Sequence, residues 1–372
     1  MADHTDTNVT ETSMRSSIYV IAVIQIFILA IMSLVGIFGN MLTIIAILCT
    51  NKLQITANYF LVNLAISDII VCLIAEPFYM LALYHRKWPL SKEFCAAVGA
   101  ISAISMGASV LNLLAISVNR YICIVKNMYY AKLYSNRRTV LYCVAIWIAS
   151  LISVSPTIAG VGEFGFNKYF LVCGYAMTEE TWKCQVGKMV VMFIVAISTI
   201  FFCYFNILKE VCKSSCRSNR RKGSDTSQRK LSGNEVNTKM FPKLPKQVHM
   251  LKQAWVEHRD RDFQVAKTSA IVILVFVLCW TPSVLHTIID RDFSAPTGLL
   301  QVFAFLAMGN SSINPFIYAW RNHNFRKAYK RIITCQCRQE DLGTRENSQF
   351  SHDSVMRTET RRESDQIHNT RI

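Results

Sequence analysis

The chain has 372 residues, of which 52% are apolar and 17% are charged, whereas soluble domains carry about a quarter charged residues. This composition excludes an ordinary water-soluble domain. The formal net charge of +16 is concentrated in a few polar connections between apolar blocks, so nucleic acid is not needed to explain it.

Seven apolar blocks follow one another, each long enough for a helix that crosses a bilayer, which takes roughly 20 residues. Because backbone groups in lipid must pair within their own segment, we predict an all-α membrane protein with a seven-transmembrane helix bundle. Internal prolines at Pro77, Pro156, Pro282 and Pro315 predict kinks. The blocks lie at about 19–49, 57–84, 96–125, 138–160, 186–212, 264–290 and 297–320.

A polar tail, residues 1–18, precedes the first block and lacks the features of a cleaved signal peptide. Asn8 lies there in an Asn-Val-Thr sequon that predicts glycosylation. Lys and Arg crowd the connections after blocks one, three, five and seven, which places the N-terminus outside and the C-terminus in the cytoplasm. We therefore expect a multi-pass plasma-membrane protein whose basic inner surface attracts anionic membrane lipid.

The domain organisation is a single membrane domain, residues 19–334, with polar attachments. Residues 213–262 form a long third cytoplasmic loop, which becomes helical from about His249 as an extension of block six. The basic stretch 322–333 is amphipathic and predicts a short cytoplasmic helix. Residues 335–372 are rich in Ser, Thr, Arg and Glu and predict a disordered cytoplasmic tail.

Cysteines near the helix ends suggest two modifications. On the oxidising outer side, a bridge between Cys95 and Cys173 would hold the loop between blocks four and five over the helix ends. Cys184 is a competing partner that the spacing leaves open. On the inner side, Cys335 and Cys337 follow the amphipathic stretch and predict palmitoylation, with two free thiols as the alternative.

Asp68, in the NLAISD segment of block two, is the clearest ionisable residue within a span, where such residues are costly and often functional. Small polar residues in other blocks can meet it, and two interpretations stand. The oxygens hold a hard cation such as sodium, or they form a hydrogen-bond network between helices. The polar residues are Asn40, Ser109, Asn310, Ser311 and Asn314.

Three short motifs lie at fixed places in the last five blocks. Residues 117–121 read Ser-Val-Asn-Arg-Tyr, residues 279–282 read Cys-Trp-Thr-Pro, and residues 314–318 read Asn-Pro-Phe-Ile-Tyr. Taken alone, Arg120 is explained by snorkelling to the interface. The order and spacing of the motifs across seven blocks are far more specific than any one of them.

With the Gly39-Asn40 pair, Asp68, Cys95 and Trp147, these motifs make residues 20–335 resemble rhodopsin-like (class A) G-protein-coupled receptors. The resemblance implies an extracellular ligand and a heterotrimeric G protein as partner. It also implies that residues matching Asp68, Ser109, Asn310, Ser311 and Asn314 form a sodium pocket. The implied G-protein switch comprises Asn119, Arg120, Tyr121, Tyr204, Asp262, Trp280, Pro282, Asn314, Pro315 and Tyr318.

The chain departs from that family at several positions. Asn119 replaces the usual Asp, so Arg120 lacks its adjacent carboxylate, although Asp262 at the foot of block six can pair with it instead. The Asn-Arg-Tyr variant is familiar in melatonin-type receptors, but those usually depart from the NPxxY pattern that this chain keeps. Ala196 stands near the place of the usual fifth-helix proline.

Two positions narrow the expected ligand. Ser102 stands where aminergic receptors carry their aspartate, and Met308 stands where opsins carry the retinal lysine, so we expect neither a monoamine nor retinal. Small-molecule, lipid and peptide ligands remain open. Glu76 and His286 are the polar candidates for the pocket, although His286 is equally explained as a helix-end histidine bonded to backbone. The expected pocket residues are Ser102, Met106, Trp280, Ser283, His286, Thr287 and Met308.

Regulation after activation is expected in the cytoplasmic segments. Basic residues precede Ser224, Ser232 and Ser364, and phosphate there would add negative charge and recruit an arrestin-like protein.

Two other classes of protein fit the hydropathy less well. A seven-helix metal-dependent hydrolase needs about three converging His, Asp, Glu or Cys ligands, yet of eight histidines only His286 lies in a block. A transporter would show paired repeat halves, and none is visible in the sequence. We therefore expect a receptor and not an enzyme.

Overall fold

The structure is a computed structural model that describes the backbone of residues 3–176, 178–231, 246–290 and 295–336. Side chains are described for residues 19–176, 178–213, 262–290 and 295–336. The helices are α1 Asp3–Cys49, α2 Thr56–Ile70, α3 Glu76–His85, α4 Lys92–Val125, α5 Asn127–Leu133, α6 Asn136–Ile158, α7 Glu179–Leu231, α8 Lys246–Ile289, α9 Thr297–Arg321 and α10 His323–Ile333. The strands are β1 Phe164–Asn167 and β2 Val172–Tyr175.

The predicted seven-helix bundle is present, formed by α1, the joined pair α2 and α3, α4, α6, α7, α8 and α9. The first six of these crossings contain stretches long and apolar enough to span a membrane. The seventh, α9, is less apolar because Asn310, Ser311, Ser312 and Asn314 lie within it, and all four are buried inside the bundle. The six apolar stretches are Tyr19–Cys49, Thr56–His85, Lys92–Val125, Asn136–Ile158, Glu179–Lys213 and Asp262–Ile289.

Prolines and one irregular turn interrupt the regular helices. Pro156, Pro282 and Pro315 lie inside α6, α8 and α9, which continue through them. A wider turn over Val71–Ala75 joins α2 to α3, with Pro77 just after it. Because proline lacks a backbone N–H, each site removes one helical hydrogen bond and gives the helix a place to bend.

The centre of the bundle is α4, which packs on α2, α6, α7 and α8. Asn63 of α2 donates to the Asn112 side chain of α4 at 2.9 Å and accepts from the Trp147 indole of α6 at 2.8 Å. Side-chain hydrogen bonds of this kind fix helix neighbours in a membrane, where hydrophobic burial does not distinguish protein from lipid. Asn112, Asn63 and Trp147 thus form a hydrogen-bonded chain that connects α4, α2 and α6.

The outer end of the bundle is covered by the antiparallel β1–β2 hairpin, which a disulfide between Cys95 and Cys173 attaches to the start of α4. This is the predicted pairing, and Cys184 is a free thiol. A Cβ at Gly99 would lie 3.0 Å from the backbone nitrogen of Gly174. The absence of a side chain at Gly99 therefore lets the hairpin approach the helix as closely as it does.

At the inner end, α10 is the predicted amphipathic helix. Its apolar residues Phe325, Ala328 and Tyr329 are buried, and the Tyr329 hydroxyl lies 2.6 Å from the hydroxyl of Thr43 on α1. Cys335 follows this helix and is exposed. The basic residues of α10 remain on its other side, as in a helix that lies along a membrane surface.

Several expectations fall at the edges of the described structure. The backbone is helical from Asp3 in α1 and as far as Leu231 in α7, beyond the blocks predicted at 19–49 and 186–212. The inward extension of α8 begins at Lys246. The side chains of Asn8, Ser224, Ser232, Ser364 and Cys337, and the tail from residue 337, lie outside the described residues.

The disulfide generates a prediction about stability. Cys173→Ser should lower the thermal unfolding temperature of the purified protein by roughly 5 °C or more, because the bridge closes a loop across a sequence separation of 78. Cys184→Ser is the matched control and should leave that temperature unchanged. Equal losses in the two variants would show that the hairpin is not held by this bridge.

Candidate functional site

A cavity of about 300 Å³ lies in the outer half of the bundle, between the helices and beneath the hairpin. Its deep part is formed by apolar and sulfur-containing side chains around Trp280, whose ring stacks on Phe276 at a centroid distance of 5.9 Å. Concave pockets of this kind, mainly apolar with few polar groups, are typical of small-molecule sites. The predicted pocket residues that line it are Ser102, Met106, Trp280, Ser283, Thr287 and Met308.

The hairpin forms the cover of this cavity. Phe170 and Val172 line it from above, together with Cys173 of the disulfide. The Trp182 indole of α7 donates to the carbonyl of Thr287 on α8 at 3.2 Å and closes the side between these helices. The outer side of the cavity is thus bordered by a loop that the disulfide attaches to α4 and by the ends of the neighbouring helices.

The hydroxyl groups in the cavity are mostly occupied by their own helices. Ser102 donates to the carbonyl of Val98 at 2.7 Å, and Thr287 donates to the carbonyl of Ser283 at 2.9 Å. The Ser283 hydroxyl is buried and has no hydrogen-bond partner in the described part of the chain. It is therefore the hydroxyl here that is most open to a ligand.

Lys188 on α7 is the one charged residue among the described residues that line the cavity. Its Nζ donates to the Thr157 hydroxyl of α6 at 3.3 Å and lies 4.7 Å from the centre of the Tyr175 ring. Burial raises the pKa of the Tyr175 phenol to about 12, so this neighbour is neutral at physiological pH. Sequence analysis missed Lys188, although an ionisable residue inside the predicted block 186–212 was itself a signal.

Neither polar residue that sequence analysis favoured for the pocket lines it. The Nε2 of His286 lies 3.1 Å from Asp290, the residue that directly follows α8, and the His286 side chain is only 7% exposed. Its ring packs against Phe170 and Phe303. Because this carboxylate and these rings hold the imidazole beside the cavity, His286 does not line it.

Glu76 is fully buried but faces α1 and α9 instead of the cavity. The Cys72 thiol donates to its Oε1 at 3.7 Å and lies 3.9 Å from the Ser312 hydroxyl of α9. Ser33 of α1 donates to the carbonyl of Cys72 at 2.7 Å. Glu76 therefore belongs to a polar contact between three helices.

Below the cavity, the carboxyl group of Asp68 is fully buried and links α2 to α9. Asn314 donates to its Oδ2 at 2.8 Å, and the Ser311 hydroxyl lies beside it. Three oxygens of this cluster are buried without a hydrogen-bond partner among the described residues, namely Oδ1 of Asp68, Asn310 and Asn314. Carboxylate and amide oxygens are hard ligands, so the cluster fits a hard monovalent cation.

Two other residues predicted for that cluster make different contacts. The Ser109 hydroxyl of α4 donates to the Ser67 hydroxyl at 3.0 Å, next to Asp68 in sequence. Asn40 of α1 donates to the carbonyl of Ser311 at 2.9 Å. These two residues contact the cluster from α4 and α1. The residues proposed to bind a cation and the residues that form the hydrogen-bond network between helices are therefore the same group.

At the inner end, Arg120 of α4 is only 2% exposed and forms no ion pair within the described residues. The expected partner, Asp262 of α8, contacts the Cys123 thiol, which lies one turn beyond Arg120 on α4. The adjacent Asn119 is fully buried, and its amide has no hydrogen-bond partner among the described side chains. Among the described residues the Arg120–Asp262 ion pair is thus not formed, and Asp262 lies beside the Cys123 thiol.

Three tyrosines surround this inner end. The Tyr204 hydroxyl of α7 donates to the carbonyl of Ala266 on α8 at 3.5 Å. Tyr121 packs on Phe202 with ring centres 5.6 Å apart. The Tyr318 hydroxyl of α9 is buried and has no hydrogen-bond partner in the part of the chain described here. Tyr204 therefore links α7 to α8 at this end of the bundle.

The metal-hydrolase alternative requires a cluster of ligands. Within the described ranges, no group of three or more His, Cys, Asp or Glu side chains converges as a metal-binding cluster.

Comparison with known proteins places these features in a family. The profile of the 7 transmembrane receptor (rhodopsin family) matches residues 39–318. Melatonin receptor type 1B from Homo sapiens is 27% identical over 312 residues, which are 82% of this chain and 77% of the relative. The same receptor type from Rattus norvegicus is 30% identical over 302 residues, 80% of this chain and 74% of the relative.

Two further proteins extend the comparison. Alpha-1D adrenergic receptor from Mus musculus is 29% identical over 331 residues, 83% of this chain and 57% of the relative. The crystal structure of squid rhodopsin matches in fold with a TM-score of 0.68 at 23% identity, over 89% of this chain and 91% of that chain. The fold is therefore shared with squid rhodopsin, and the family profile covers the part of the chain that contains the three motifs.

Proposed function

The chain belongs to the rhodopsin family of seven-transmembrane receptors, and we propose that it is switched by a small molecule that binds beneath the β1–β2 hairpin. It is a multi-pass membrane receptor that signals through G proteins. The observation that carries the proposal is the covered cavity of about 300 Å³, whose deep part ends on Trp280. A cavity of this volume suits a compact ligand.

The ligand acts on α8. Trp280 lies against the cavity and Pro282 follows it within the same helix, where the missing hydrogen bond permits bending. A ligand that prefers one position of Trp280 shifts the population of helix arrangements toward it, whereas equal affinity for both would shift nothing. The cavity is thereby coupled to the inner half of α8, which carries Asp262 and Ala266.

The G protein binds at the inner end. Arg120, Tyr204 and Asp262 meet there at the boundary of α4, α7 and α8. Outward movement of α8 carries Asp262 away from α4 and opens a cleft beside the buried Arg120, which can then contact a helix of the G protein. Because Asn119 supplies no carboxylate beside Arg120, the inactive arrangement lacks one restraint, and we infer appreciable basal activity.

The oxygens around Asp68 hold a sodium ion in the proposed mechanism. The unpartnered oxygens of Asp68, Asn310 and Asn314 support this assignment, with Ser109 and Ser311 nearby. A bound sodium ion would supply a positive charge that balances the buried carboxylate. These residues lie on α2, α4 and α9. Binding of a cation between them would therefore favour the arrangement in which these three helices are close together.

The relatives and two residue positions bear on the chemistry of the ligand. The relatives include melatonin receptors and an adrenergic receptor. Ser102 in place of an aspartate argues against a monoamine, and Met308 in place of a lysine argues against covalent retinal. We propose a non-monoamine small molecule.

Further partners follow from the inner surface. We propose that the receptor lies in the plasma membrane with its N-terminus outside and the basic side of α10 against anionic lipid. The exposed Cys335 is then placed for palmitoylation. An arrestin-like protein binds after phosphorylation of the cytoplasmic serines.

The inner end generates the first functional prediction. Arg120→Ala should reduce G-protein nucleotide exchange by ~tenfold or more, since the charged contact with the G protein is lost. Exchange is measured in membranes for each class of G protein, at equal surface level, with melatonin and without added ligand. The exposed Arg137 on α6 is the matched control, and Arg137→Ala should retain exchange. Full activity of Arg120→Ala would refute the proposed switch.

The Asp68 cluster generates a second functional prediction. Sodium chloride, compared with equal potassium chloride, should raise the unfolding temperature of the purified wild type, because a ligand of the folded state stabilises it. Asp68→Asn should abolish this difference. Glu76→Gln makes the same change at the other buried carboxyl group of this span and should preserve the sodium effect. A sodium effect that survives in Asp68→Asn would exclude this site.

A further inference from the structure

One face of α7 borders the cavity and combines a single cation with apolar side chains. The lining residues Gln185, Lys188, Met189, Met192 and Phe193 recur at the spacing of a helical face. Lys188 lies toward the outer end of this face, under the hairpin, and the methionines and Phe193 continue toward Trp280. The cavity therefore has a charged outer end and an apolar inner end.

The ammonium group of Lys188 is incompletely partnered. It has three N–H donors, and Thr157 accepts from it while the Tyr175 ring lies beside it. No carboxylate within the described residues forms an ion pair with it. Lys188 is half-buried, and a cation that is partly shielded from water inside a bundle gains from an anion or further acceptors beside it.

The neighbours do not supply that anion. The Tyr175 phenol is neutral, and Thr157 is a neutral hydroxyl. Glu76 lies in a different contact between α1, α3 and α9, and the carboxylate of Asp290 is beside His286. Among the described residues, none supplies the negative charge that would complete the surroundings of Lys188, so an anionic group of a bound molecule fits beside it.

On these grounds we propose that the ligand is a compact monocarboxylic acid with an apolar body, whose carboxylate pairs with Lys188 and whose body packs against Met192 and Trp280. This inference rests on the proposed function, because it names the ligand class for the same cavity. One lysine balances one negative charge, whereas a phosphate dianion is typically held by several cations or by arginine. The small volume favours an aryl or short alkyl body over a long lipid chain.

The test compares acids with their neutral esters on the full-length receptor in nanodiscs. The probes are indole-3-acetic acid, 4-phenylbutanoic acid and decanoic acid, each against its methyl ester, with binding measured by calorimetry. At least one acid should bind the wild type about tenfold or more tightly than its ester, because the ester lacks the charge that pairs with Lys188.

Variants assign that preference to one residue. Lys188→Met should lower the affinity for the acid by about tenfold or more and leave the ester unchanged, and Lys188→Arg should preserve the preference for the acid. Lys183→Met is the control on the same helix, since Lys183 is exposed and pairs with Glu179 at 2.9 Å, and it should bind as the wild type does. An unchanged unfolding temperature without ligand establishes that each variant is folded.

Three results would each overturn the proposal. The esters bind the wild type as tightly as the acids do, the Lys188→Met variant keeps the wild-type affinity for the acid, or the folded wild type binds none of the acids. Nucleotide exchange in the same preparations separates this inference from the receptor function. Acid binding with no Arg120-dependent exchange would contradict the proposed function alone. Exchange driven by neutral melatonin, with no acid bound, would overturn the ligand class alone.

Discussion

Polar groups inside a membrane must find their partners within the protein, and this constraint organises the bundle. Asn63 bridges Asn112 and Trp147 across three helices, and Asp68 accepts from Asn314 across two. Each bond fixes the rotation of the helices it joins, which apolar side chains facing lipid cannot do. The helices therefore turn their polar residues toward one another, and the interior acquires a polar middle layer beneath the ligand cavity.

That layer divides the molecule into two ends with different chemistry. Above it lies a mainly apolar cavity in which Lys188 supplies the single charge of the described lining, and below it lies the buried Arg120. The same helix, α8, borders both ends, with Trp280 at the cavity and Asp262 at the inner surface. Pro282 lies just beyond Trp280 in this helix, so a bend there can turn a small displacement at the cavity into a larger one at the inner end.

Hydropathy alone predicted much of the fold, because the length of an apolar stretch decides whether a helix can span a bilayer. The block predicted at 138–160 corresponds to the stretch Asn136–Ile158, and the expectation that Asn314 would meet Asp68 is matched by a direct hydrogen bond. Side-chain direction near the helix ends was less predictable, since packing sets it. The spacing of four between His286 and Asp290 already allowed their contact. By contrast, nothing in the sequence indicated that Asp262 would face Cys123 instead of Arg120.

The central claim is that α8 moves away from α4 at the inner end when the receptor is active. The most direct measurement is the distance between spin labels attached at Lys126 and Lys267 through genetically encoded unnatural amino acids, since both residues are exposed near these inner ends. The receptor in nanodiscs is measured alone and with a bound nucleotide-free G protein. The account predicts a new population with a distance several ångströms longer in the complex, which a ligand that drives exchange enlarges further. An unchanged distance with the G protein bound would contradict it.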